Sequence, residues 1–534
     1  MKTIFIYLAI ILLAFSERVC AQAEKLSAKE YYEYTDYVNA LPEYIKLLKA
    51  TPNNAEYNYR IGYCYLKLYG DRSKSIPYFE AAIKQNFSNP DVYLQLGKAL
   101  CINNKFDEGI KQLKLFIEKN PKKDVAIAER MIESAEYAKV AIKKPINITF
   151  TNLGKEVNSK YPDYYPFVSN NEGALTFTSR RETNMGSMIG ALGYKTADIY
   201  FSKVVNGVWT KAKSAGVPLN TAEDEQCVGM SADGKTMMVY YESVDIHGDL
   251  FQTYSPKGKS FPKPSPLSEN INTEDIETEA CLNPDNNVLY FVSDRPGGKG
   301  GTDLYFSKVL PDGTWGIPTN LGNNINTPFG EAFPILSQDA QTLYFASEGH
   351  NSMGGYDIFK TQWDTTKKEW GMPENIGYPL NTADDNMQFT LAGNNRDGYV
   401  SAYRKEGLGD LDIYKVTFND EENNKITAIR GKVILGDSLY KGTYKTTVTL
   451  LNMDSGEEVE SKQVGSRNGR FIFVVDVAGK YKLIAEEPGF PKYEEEIIVF
   501  DKSDFTPEIV KNVRLMKGGT NASVKTPSPP KKTK

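Results

Sequence analysis

The chain has 534 residues, 40% of them hydrophobic and 25% charged, with 63 Lys and Arg against 68 Asp and Glu. That length asks for about three or four domains, and so mild an acidic balance excludes a nucleic-acid binder working through a basic face. Two histidines beside 34 tyrosines and 25 phenylalanines favour β-structure and count against histidine chemistry.

The first element is a targeting segment. Lys2 supplies a positive charge, and the apolar run from Ile4 to Phe15 is too short to span a bilayer. Val19, Cys20 and Ala21 suit a signal peptidase, which places cleavage before Gln22 and makes residues 1–21 a signal peptide. Cys20 raises the question of lipidation, but Glu17, Arg18 and Val19 make a poor lipobox, so export to the periplasm without a lipid anchor is expected. Cys64, Cys101, Cys227 and Cys281 are too few and too scattered for a disulfide scaffold, and each reads as a free, buried thiol.

Residues 24–145 read as an all-α solenoid. The stretch from Pro90 to Pro121 has the spacing of a tetratricopeptide repeat, with Tyr93, Leu96, Gly97, Leu100, Phe106, Gly109 and Leu113 in the signature places. Gly97 and Gly109 are small where two helices must approach closely. A second copy runs through Ile61, Gly62, Tyr65, Phe79 and Ala82, a third shows its later half from Tyr37, and the stretch from Asp124 to Ile142 caps the stack. In this register Tyr59, Tyr63, Leu66, Lys67, Leu94, Lys98 and Cys101 face a concave groove suited to an acidic peptide.

Residues 146–420 form a repeat array. Asn followed by Thr or Ser occurs at Asn158, Asn220, Asn272, Asn326 and Asn381. Asp followed by an aliphatic and an aromatic residue occurs at Asp198, Asp249, Asp303, Asp357 and Asp412. Both series step by about 50–60 residues, and about four short strands per step make a propeller blade. The fifth period lacks a last strand while Ile146–Gly154 precedes the first, so that segment can close a ring of five blades and remove both open edges. The glycine-rich run Ser293–Lys308 resembles a phosphate loop at first sight. It recurs between the second and third strand of each blade and opens no helix, so it is a turn. The Asp that follows each such run should bond turn backbone within its own blade.

Residues 426–516 alternate like the strands of a small β-sandwich. Residues 517–534, rich in Gly, Ser, Pro and Lys, read as a flexible basic tail.

The candidate chemistry is a ring of acids. Asp163, Glu225, Glu279 and Glu331 precede the inner strands of successive blades, with Met387 at the fifth place and Asp384 and Asp385 beside it. At a channel mouth such acids serve as rim contacts, as a site for a cation or basic peptide, or as the paired carboxylates of a glycoside hydrolase. Their recurrence at one place per repeat favours the structural role. No Gly-x-Ser-x-Gly motif occurs, and His247 and His350 read as exposed turn residues without metal-ligand company. Cys227 and Cys281 take inner-strand places where other blades have Phe333 and Phe389, and read as small core residues.

The order of modules resembles that of Bacteroidota envelope proteins of the PorE-like and OmpA families. The middle repeats are similar to WD40-like (PD40, TolB-type) propeller repeats, and the last module is similar to a carboxypeptidase regulatory-like domain of transthyretin type. The resemblance implies outer-membrane association, a place in or beside type IX secretion or gliding machinery, and secretion, gliding or OmpA-domain proteins as partners. The relatives' OmpA-like peptidoglycan-binding domain has no counterpart in these residues, so contact with peptidoglycan is expected only indirectly or through the basic tail. The reading is a non-enzymatic scaffold with no cofactor and no metal. The alternative is a carbohydrate-binding or glycoside-hydrolysing propeller.

Overall fold

The computed structural model describes residues 25–517 apart from 123, 243–246, 259, 394–396, 420–426, 437–441, 467, 476, 501–505 and 507, together with 522–524. The signal-peptide reading and Cys20 lie outside the described residues, as does most of the tail.

The helical region is a run of antiparallel pairs: α1 (Ala28–Glu33) with α2 (Tyr37–Ala50), α3 (Ala55–Lys67) with α4 (Ser75–Lys84), and α5 (Asp91–Ile102) with α6 (Phe106–Lys119). Side chains of Ser27, Asp36 and Asn54 accept backbone N–H groups at the starts of α1, α2 and α3, relieving donors that a helix start leaves unpaired. The small residues act as their spacing predicts. A Cβ on Gly97 would lie 2.7 Å from Leu113 Cγ, and one on Gly109 would lie 2.5 Å from Cys101 Sγ. α7 (Val125–Ala141) covers the open side of α6.

The middle region is a five-bladed propeller. Its blades begin with the strands Asp163–Val168, Asp224–Met230, Glu277–Leu282, Glu331–Leu336 and Phe389–Leu391. Each heads one antiparallel sheet, and neighbouring first strands line a closed ring in which the fifth meets the first. Ile148–Asn152 pairs antiparallel with Asp412–Phe418 as the outermost strand of blade five, so the ring is closed by the chain's own earlier segment. Buried Val157, Leu175, Phe177, Tyr399 and Ile413 then form one cluster across the joint between blades five and one.

The C-terminal module is two small sheets around a core that includes Ile429, Val433, Leu450, Phe473, Tyr481 and Leu483. One correction concerns the tail. Ala522–Val524 is a strand paired with Asn512–Arg514, so the segment expected to be flexible begins by extending this module's sheet.

The three modules interlock at α7. Arg130, 7% exposed, donates to the carbonyls of Glu348, Gly349 and His350 and to Ser352 Oγ in a turn of blade four. On the same helix Glu133 meets Arg470 of the C-terminal module at 3.3 Å.

Candidate functional site at the propeller mouth

In an antiparallel blade, the loop entering the first strand and the turn between the second and third strands lie at the same end. That end is the mouth on which the helical region sits. Tyr69 stacks on Tyr194 of blade one at 6.0 Å, and Arg72 pairs with Asp384 of blade five. The groove expected to be open is therefore turned inward. Leu94 and Cys101 join a buried cluster with Met353 and Ala383 of the propeller. Burial holds the Lys98 ammonium below its usual range against the pull of Asp385 and Glu348. Tyr59 and Leu66 are buried between helices, Tyr59 donates to Asp91, and Lys67 lies over the Tyr63 ring at 5.3 Å. Tyr59, Leu66, Leu94, Lys98 and Cys101 thus build an internal seam, while Tyr63 is half-buried and Lys67 exposed, because two packed helical layers and a propeller face compete for the same apolar stripe.

The repeated acids are also placed differently from the expectation. Glu225 accepts from the backbone N–H and the hydroxyl of Thr221, and Glu331 does the same with Thr327. Asp163 repeats this with Ser159, Glu277 with Thr273, and the Asn386 side chain with Thr382. The repeated member in blade three is thus Glu277, not Glu279, and in blade five it is Asn386, not Met387. Each carboxylate folds back on its own entry loop instead of facing a ligand. Burial raises Glu225 and Glu331 to about 7 despite these hydrogen bonds. By the same register Cys281 aligns with Ile335 and Thr390, not Phe389, while Cys227 does align with Phe333. All four described cysteines are free and buried.

The Asn of each entry loop clamps the preceding blade. Asn220, Asn272, Asn326 and Asn381 each accept the N–H and donate to the carbonyl of Ile199, Leu250, Leu304 and Ile358 respectively. The Asp before each clamped residue holds the glycine turn. Asp303 accepts from the N–H of Lys299 at 2.6 Å and of Gly300 at 3.1 Å, so the donors a phosphate would need are already spent. Asp198, Asp357 and Asp412 accept from Met185, Met353 and Leu408 in the same way. The matching turn before Asp249 lies outside the described residues, as does the side chain of His247.

His350 is not an exposed turn residue. It is 8% exposed, contacts the Ile325 carbonyl at 2.9 Å and packs against Phe345 and Phe359, and burial lowers it to about 4. Among the described residues no group of three or more His, Cys, Asp or Glu is arranged to hold a metal.

The channel itself is plugged. Tyr165 of blade one, at a bulge with φ of 55°, meets Phe333 of blade four across the axis at 4.7 Å, and Phe333 has a φ of 49°. Above the plug lie two connected recesses that share Tyr165, Arg180, Ala191 and Gln226. One, of about 630 Å³, has Glu279 and Tyr240 in its lining. Glu279 accepts from Thr278 Oγ1 at 2.7 Å, and burial pushes it up to about 7. Arg180 beside it is committed to Asp224 at 2.7 Å. The other recess, of about 420 Å³, lies under Tyr69 and Arg72. Sequence reasoning missed Arg130, Arg180 and Gln388. The repeat spacing marks Gln388 as the counterpart of Glu279, but nothing in the sequence says that this place faces the channel.

No protein-family model matches the chain, and no curated protein matches it. Among solved structures, a glycoside hydrolase shares 8% identity over 54% of this chain and 96% of its own length, with a TM-score of 0.35. The RS223 β-xylosidase shares 13% over 50% and 94%, with a TM-score of 0.34. The RRP9 WD40 repeats share 9% over 52% and 99%, with a TM-score of 0.30. The chain is thus similar at low identity both to glycoside hydrolases and to a WD40 protein, and likeness of this depth carries no inference about activity.

Proposed function

We propose that this chain is a non-enzymatic scaffold that holds other envelope proteins in register, within or beside a type IX secretion or gliding machine. One observation carries the reading: the repeated carboxylates that a hydrolase would need at the mouth are spent on their own entry loops. A glycosidase pair requires two carboxyl groups in unlike surroundings on either side of a substrate. Glu279 is the member of the expected ring that faces the recess, and the Asp224 beside it is neutralised by Arg180. The buried joints at Arg130 and Glu133 support a body whose modules present surfaces together.

The test is capture of the tagged mature chain from crosslinked native envelopes, read by mass spectrometry. Enrichment of secretion-ring, gliding or OmpA-domain proteins over an unrelated exported bait is the expected result. Release of sugar from a glycan by the purified chain, lost in Glu279→Gln with the fold intact, would overturn the scaffold reading.

A further inference from the structure

The recess under Tyr69 contains an unmet polar demand. Gln388, 4% exposed, lines it, and neither its amide oxygen nor its amide nitrogen has a hydrogen-bond partner. Ser401, whose buried hydroxyl also lacks a partner, lines the same recess. Leaving a buried amide unpaired is costly, and folded proteins rarely leave both of its atoms so. Gln388 immediately precedes the strand Phe389–Leu391 and Ser401 lies in its partner strand Gly398–Ala402, so both demands belong to blade five.

The lining selects the chemistry. Its charged groups are already matched: Arg72 pairs with Asp384, Arg180 with Asp224, and Arg404 with Glu406 at 2.9 Å. An anion finds no uncommitted guanidinium among these. A cation meets Asp385, but Lys98 already lies within its field. What remains open is uncharged donors and acceptors beside the rings of Tyr69 and Tyr165, which line the recess while packing on Tyr194 and Phe333 respectively. That combination suits a ligand with hydroxyls on its edge and C–H groups on its faces. The volume of about 420 Å³ lies within the range of small-molecule sites, and Tyr403, 37% exposed, brings the lining to the surface.

We propose that the recess between the helical region and blades five and one binds an uncharged saccharide of one or two rings, with its hydroxyls paired to Gln388 and Ser401. This goes beyond the scaffold reading, and neither depends on the other.

The test uses the mature chain with xylobiose, cellobiose and N,N′-diacetylchitobiose at millimolar concentration, with glycerol as the control additive. Hydrogen exchange is followed across residues 384–388 and 399–404. At least one disaccharide should slow exchange in both segments while glycerol does not. Gln388→Met removes the unmet amide at similar volume, so it should fold at least as well and bind at least tenfold more weakly. Ser401→Ala should weaken binding in the same direction. The proposal is overturned if none of the three sugars protects these segments, which leaves a recess filled by water. It is equally overturned if protection is undiminished in Gln388→Met.

Discussion

Asn158 and Ile413 lie 255 residues apart, yet Asn158 Oδ1 accepts the Ile413 N–H at 2.8 Å and its Nδ2 donates to the Ile413 carbonyl at 3.0 Å. The same clasp joins every other pair of consecutive blades, but here it fastens the last blade to the first. The ring is therefore held shut by a side chain as well as by the strand Ile148–Asn152.

Asn158→Ala should leave the Ile413 N–H buried and unpaired, while its carbonyl keeps the Leu153 N–H. The expected loss is about 1–3 kcal/mol of unfolding free energy, read from the urea midpoint. Asn326→Ala removes an equivalent clasp inside the ring, where covalent continuity keeps blades three and four adjacent. It should cost less, and equal costs would show that the closing joint has no special burden.

Three buried glutamates, two of them caps, predict a pH dependence of defined sign. Glu225, Glu279 and Glu331 are raised to about 7 in the folded chain, whereas in the unfolded chain a glutamate titrates near 4.3. Between those values the folded state holds more protons, so stability falls as pH rises through 7. His350, lowered to about 4, acts oppositely, but only below its unfolded value near 6.5. The melting temperature should therefore rise on going from pH 8 to pH 6.5. Glu331→Gln keeps an acceptor for the Thr327 N–H and should flatten that slope at small cost, while Glu331→Ala should cost about 1–3 kcal/mol. A slope unchanged in Glu331→Gln would remove this cap from the account.

Arg130 joins the helical region to blade four. Arg130→Met should remove one buried donor from each of the carbonyls of Glu348, Gly349 and His350, which keep Ser352 Oγ, the Ser352 N–H and Arg430 respectively, at about 1–3 kcal/mol. Loss of helical circular dichroism should then precede loss of the propeller's aromatic signal in a urea titration. Coincident transitions in the variant would mean that other contacts suffice for coupling.

Gly109→Val tests the closest helix approach. A branched side chain at Gly109 meets Cys101 Sγ and the Gly97 carbonyl, so α5 and α6 must separate. A loss of about 2–3 kcal/mol is expected, in the range of overpacked cores, with trypsin cutting between the two helices. Gly234→Ala, at a turn where a Cβ meets nothing within 4 Å but φ is 69°, should cost only about 1 kcal/mol.

Much of the architecture is legible in the residues because repetition exposes it. The Asn and Asp series mark five blades, and the strand without a partner at Ile148–Asn152 has only one open edge to fill. The site is less legible, for a physical reason. Glu277 and Glu279 are both acids at alternate places of one strand, and alternate strand residues face the same side. A shift of strand register between Glu277 and Ala280 breaks that alternation here, setting Glu277 against Thr273, Ser293 and Arg295 and leaving Glu279 in the channel. The helical groove misleads in another way: an apolar stripe says that a surface will be covered, and the cover here is the chain's own propeller.

The closing strand also sets a schedule for synthesis. Ile148 pairs with Phe418, so roughly 270 residues must follow before the strand finds its partner. At about 5–20 residues per second that is roughly 14–54 s. Throughout that interval an emerging chain carries an unpaired β edge beside four growing blades, and an exposed edge is a template for other chains. In the exported scaffold proposed above the interval extends across translocation, so a factor that shields the Ile148–Asn152 edge until blade five arrives would set the yield of folded protein more than any contact in the finished ring.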